Sequence, residues 1–120
     1  MRIFKNTWFA RYAGKAGISD NELKEAVNQL EAGQADANLG GDVYKLRVAR
    51  SGEGKSGGYR VIVLFRSGER TFFVYGFSKS ERDNISEKEL KDYRKLAKKY
   101  FLMTVEQLEE MIKDGQLIEL

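Results

Sequence analysis

The spacing of apolar residues changes twice along the chain. A short apolar segment over residues 1–5 predicts a strand. Trp8, Phe9, Tyr12 and Ala13 then fall on one face of a helix, which Asn6 or Thr7 can cap. Gly14 and Gly17 are expected to end it. Its closely spaced aromatics predict a packing anchor. Ser19 and Glu22 have the spacing of a capping box, flanked by Ile18 and Leu23 as a hydrophobic staple. Leu23, Ala26, Val27 and Leu30 repeat at helical intervals up to Gly33, and residues 34–42 predict a loop.

In the middle the period falls to two. Over residues 43–49, Tyr44, Leu46 and Val48 share one face, and Val43, Lys45 and Arg47 share the other. Residues 59–66 and 70–77 are strongly apolar and are joined by Ser67-Gly68, a tight hairpin turn. Strict alternation puts Phe72 and Val74 on one face and Phe73, Tyr75 and Phe77 on the other. With both faces apolar, this pair predicts a sheet centre covered by helices.

Helical spacing then returns. Ser86 and Glu89 form a second capping box, opening a stripe of Leu90, Tyr93, Leu96, Ala97, Tyr100 and Phe101 with lysines on its other face. Thr104 and Gln107 repeat the signal, with Met103 and Leu108 as staple. Val105, Leu108, Met111 and Ile112 line a last helix up to Gly115, and residues 116–120 predict a short strand or a loosely packed tail. The expected fold is α+β: a small twisted antiparallel sheet with N-terminal and C-terminal helices packed on it, as one domain over residues 1–120.

Composition narrows the chemistry. There is no cysteine and no histidine. Disulfides, thiolate metal sites, zinc enzymes and Ser-His-Asp hydrolases are thereby excluded, and no cofactor is expected. No stretch approaches the ~18 apolar residues of a membrane span, and the N-terminus does not read as a signal peptide, so a cytoplasmic protein without a membrane partner is expected.

Charge is unevenly distributed. Residues 1–42 carry five basic and six acidic side chains, net −1, and residues 83–120 carry seven and nine, net −2. Residues 43–82 carry nine and three, net +6. A block of this kind attracts a polyanion. Its glycine-rich segment contains Gly52-Glu53-Gly54-Lys55-Ser56-Gly57, which fits a dinucleotide-binding pattern, and Gly54-Lys55-Ser56, which resembles the end of a P-loop. Both motifs need a helix next, and a strand follows here. A basic hairpin loop is the simpler account.

Lys45 and Arg47 on one strand, Lys55 in the loop after it, Arg60 at the start of the next strand, and Lys79 and Arg82 after the third can converge on a concave cationic surface. Such a surface suits a phosphodiester, because guanidinium forks match phosphate oxygens. Crowded cations also ease the deprotonation of an ammonium group, which is one way lysine becomes a base.

Three runs taken together resemble the RelE/ParE superfamily of toxins: Tyr44-Lys45-Leu46-Arg47-Val48-Ala49, Gly57-Gly58-Tyr59-Arg60-Val61-Ile62, and Phe73-Val74-Tyr75-Gly76-Phe77-Ser78-Lys79-Ser80-Glu81-Arg82. The Gly-Lys-Ser-Gly-Gly-Tyr-Arg run is most similar to the HigB-like branch. The resemblance implies a toxin neutralised by a cognate antitoxin, expected to be a helix-turn-helix protein. It implies entry into the ribosome and metal-independent cutting of mRNA through attack by the RNA's own 2′-hydroxyl. By position, Arg60 matches the phosphate-stabilising arginine, Lys45 and Arg47 the basic pair of the preceding strand, and Lys79 the lysine after the third strand. Lys55, Arg50, Tyr59 and Arg82 are expected to contact RNA or ribosome. Ser80 departs from the arginine that RelE carries after that lysine, and Ile85 and Ser86 lie where RelE has a catalytic tyrosine. A ParE-like gyrase inhibitor and an inactive RNA- or protein-binding relative are the alternatives on this fold.

Overall fold

A computed structural model describes residues 1–49 and 58–120. The glycine-rich loop, and with it Arg50 and Lys55, lies outside the described residues. The elements in chain order are β1 (Arg2–Asn6), α1 (Thr7–Ala16), α2 (Asp20–Glu31), β2 (Ala37–Asn38), β3 (Val43–Val48), β4 (Tyr59–Arg66), β5 (Arg70–Ser78), α3 (Glu87–Leu102), α4 (Val105–Lys113) and β6 (Leu117–Glu119). They build the expected α+β architecture.

The helix ends follow their local signals. Asn6 caps α1 by accepting from the Phe9 N–H at 2.7 Å. Ser19, Ser86 and Thr104 each close a complete capping box, with Glu22, Glu89 and Gln107 respectively. Gly14 does not end α1. The helix runs on to Ala16, and Gly17 stops it with φ 73°, a left-handed conformation that glycine adopts without penalty.

The six strands form one sheet in the order β2-β3-β4-β5-β1-β6. Neighbours run antiparallel except β1 and β5, which pair in parallel from Arg2↔Arg70 to Lys5↔Phe73. The sheet is therefore mixed, where an all-antiparallel one was expected. The expected loop over residues 34–42 contains the two-residue strand β2, and the C-terminal tail is a strand.

Helices cover both faces. On one side α1 and α2 bury Phe9, Leu23, Val27 and Leu30 against Leu46, Val61, Val63 and Phe73. On the other, α3 and α4 bury Ala97, Tyr100, Phe101 and Leu108 against Ile62, Leu64 and Phe72. Val105, expected in that stripe, is exposed.

One irregularity decides where Tyr75 and Phe77 face. In the β4–β5 ladder Ile62 pairs with Tyr75, but Val63 pairs with Phe73, so Val74 is an extra residue in β5. This bulge resets the alternation. Tyr75 and Phe77 join Phe72 and Val74 on the α3 side, and only Phe73 stays on the α1 side. The Asn6 side chain donates from Nδ2 to the Val74 carbonyl at 3.1 Å, so one residue caps α1 and satisfies the bulge.

Candidate functional site

Two rows of side chains cross the sheet on the α3 side, where β3 ends and β4 begins. The inner row is Lys45, Ile62 and Tyr75, and the outer row is Arg47, Arg60 and Phe77. Alternation fixes this placement. Leu46, Val48 and Val61 point into the α1–α2 core, so Lys45, Arg47 and Arg60 must point away from it. Arg47 and Arg60 are direct cross-strand partners. Placing two like charges opposite each other costs free energy, and an anion held between them removes that cost.

Arg60 is the most telling of the group. Its Nη1 is buried and has no hydrogen-bond partner among the described residues. A dehydrated guanidinium N–H without an acceptor is unfavourable, and a phosphate oxygen is an acceptor of the right charge and shape. Arg47 is half exposed and touches Asp36 only at 4.0 Å. Lys45 Nζ donates to Asn84 Oδ1 at 3.4 Å, a long contact that leaves most of its donor capacity unused among the described residues.

The segment 79–86 borders these rows. Ser78 starts it: its N–H and hydroxyl donate to Glu81 Oε1 at 3.2 and 2.7 Å, and its carbonyl accepts from Glu81 N–H at 3.0 Å. This turn presents Lys79, which is exposed. The Ser80 hydroxyl lies 2.9 Å from that of Ser78.

Arg82 is committed within the fold. Its Nη2 and Nη1 donate to the two Glu89 carboxylate oxygens at 2.7 and 3.1 Å, Nη1 donates to Tyr75 Oη at 3.2 Å, and Nε donates to the Asn84 carbonyl at 2.9 Å. The guanidinium also lies 5.8 Å from the Tyr75 and Phe77 ring centres. The hydrogen bonds from Arg82, then that from the Ser86 backbone, hold the Glu89 carboxyl down at about 2. Burial, then the Glu89 charge, pushes the Tyr93 hydroxyl up to about 12. Arg82 thus fastens the loop to α3.

The fold therefore brings Lys45, Arg47 and Arg60 together and sets Lys79 on the turn beyond β5. It does not bring Tyr59 to them. Tyr59 faces the α1 side, is 8% exposed, meets Tyr12 edge-on at 5.8 Å, and donates to the Ala16 carbonyl at 3.3 Å. Sequence reasoning missed Tyr75 and Phe77 as the aromatic floor of the site, because the bulge carries no signal in the alternation. Trp8, expected with its neighbours to form a packing anchor, is 46% exposed and packs on Tyr75 at 4.6 Å.

What the arrangement can do is bind and neutralise a phosphodiester on a preorganised strand surface. Among the described residues, no three acidic side chains group as a metal site would need. No helix is long and apolar enough to cross a membrane. One protein-family pattern, described as the RelE toxin of the RelE/RelB toxin-antitoxin system, matches residues 1–120. No curated protein matches the chain.

Proposed function

Because the chain belongs to the RelE toxin family, we propose that it is a toxin that cuts mRNA on the ribosome, paired with a helix-turn-helix antitoxin in the cytoplasm. The observation that carries this reading is the buried Nη1 of Arg60, without a hydrogen-bond partner among the described residues, beside Arg47. In the proposed reaction the 2′-oxygen of one nucleotide attacks the adjacent phosphorus. The bond from phosphorus to the 5′-oxygen breaks, leaving a 2′,3′-cyclic phosphate and a 5′-hydroxyl. Arg60 stabilises the charge that develops on the phosphoryl oxygens. Lys45, acting as the neutral amine, takes the 2′-proton and becomes ammonium; a lysine reaches that neutral form far more readily than an arginine does. Arg47 holds the phosphate from the neighbouring strand, and Lys79 faces the leaving 5′-oxygen, which must gain a proton. HigB-like features support that branch through the glycine-rich run before Tyr59.

Purified protein added to ribosomes stalled on a defined mRNA tests this. The expected result is a cut at the A-site codon that persists in chelator, with Arg60→Ala slowing it by about a hundredfold or more while circular dichroism stays unchanged. No cut by the parent protein would sink the proposal. Retained binding to the ribosome without a cut would support the inactive relative, for which Ser80 in place of arginine is the motivating feature.

A further inference from the structure

The outer face of α3 is a ridge of lysines. Lys88, Lys91, Lys95, Lys98 and Lys99 are all exposed. Their spacings of three and four residues put them on adjoining positions of one helix surface, from Lys88 to Lys98 over about 15 Å at 1.5 Å per residue. Lys88 meets Asp92 at 3.4 Å, and the other four have no ion-pair partner among the described residues. No acidic side chain occurs between Asp92 and Glu106.

This arrangement works against the helix. Lys91 with Lys95 and Lys95 with Lys99 are like-charge i,i+4 pairs, which weaken a helix where Glu-Lys pairs would strengthen it. The cost disappears when a polyanion covers the ridge.

The composition points to nucleic acid over protein. Lysine is depleted in protein interfaces, and the free charges of the ridge are lysines: Arg94, exposed between Lys91 and Lys98, is held on the Leu39 carbonyl, and exposed Leu102 follows only at the helix end, with no tryptophan or tyrosine on the ridge. A row of flexible point charges suits phosphates along a groove. It offers no stacking surface for single-stranded bases, which bind on aromatic platforms. The ridge also lies on the helix packed over the same sheet face as Lys45, Arg47 and Arg60.

We propose that the α3 lysine ridge docks the phosphate backbone of a double-helical RNA segment, separately from the strand bound at Arg60. This rests on the RNA-directed reading of the family above, but its test does not need cleavage. The full-length protein and Lys91→Gln/Lys95→Gln are titrated with a fluorescent 20-base-pair RNA duplex across a salt series. The double variant is expected to lose about tenfold or more in affinity and to lower the slope of log K against log salt by about 2, one per phosphate contact removed. It is also expected to melt no lower than the parent, because helix repulsion is relieved, whereas a merely structural pair of lysines would lower the melting temperature. An unchanged duplex affinity and slope would overturn the proposal. So would selective loss of binding to polyglutamate or to phosphatidylserine vesicles, which would assign the ridge to an acidic protein or a membrane. If the protein cuts no mRNA yet the duplex results hold, the cleavage reading fails and the ridge stands.

Discussion

Glu89 serves three partners with one carboxylate: two nitrogens of Arg82 and the N–H of Ser86 at 2.7 Å. Its carboxyl titrates at about 2, against an ordinary value of 4.5. A depressed folded value means that the stabilisation is complete above the ordinary value and fades as pH falls towards 2. Glu89→Gln keeps a residue able to close the capping box but removes the charge. Urea unfolding should therefore show the variant less stable than the parent near neutrality. The gap should narrow between about pH 5 and about pH 2 as Glu89 of the parent is protonated. The capping box was legible in the sequence as Ser86 and Glu89. The clamp on Arg82 was not, since a loop residue seven positions earlier reaches Glu89 only through the path of the turn after Ser78.

Strand β5 shows where sequence patterns reach their limit. Alternation named its apolar positions but had no means of marking Val74 as an extra residue, so Tyr75 and Phe77 were assigned to the wrong side. The parallel pairing of β1 with β5 was equally hidden, because it joins residues nearly seventy positions apart with no turn between them to set the register. Gly76 is a third such feature. A Cβ there would lie 2.5 Å from Tyr12 Cε2, so the missing side chain is what seats the Tyr12 ring on the sheet. Gly76→Ala should cost about 1–3 kcal/mol in chemical denaturation, the usual range for overpacking. Lys45, Arg47 and Arg60, by contrast, were legible because each lies in a strand where period two holds.

The two ends of the chain are stitched together across the sheet. Arg2 binds Glu119 with two nitrogens, each at 2.8 Å, and the Leu120 N–H donates to the Ile3 carbonyl at 2.9 Å. Leu117, 1% exposed, carries β6 into the core under α4. Leu117→Ala should cost about 2–5 kcal/mol. Hydrogen exchange should locate the loss in β1 as well as β6, because β1 lies between β5 and β6 in the sheet. The sequence left this tail open between strand and loose packing, since three residues are too few to show a period.

Trp8 is the only tryptophan in the chain, so its emission belongs to one place. It stacks on Tyr12 and packs at a tilt against Tyr75, and Tyr75 in turn accepts a hydrogen bond from Arg82, which fastens the turn carrying Lys79. A rearrangement of that turn is therefore transmitted to the indole through a single ring. The molecule carries its own optical reporter for the border of the rows that hold Lys45, Arg47 and Arg60, readable in a stopped-flow cuvette without any label.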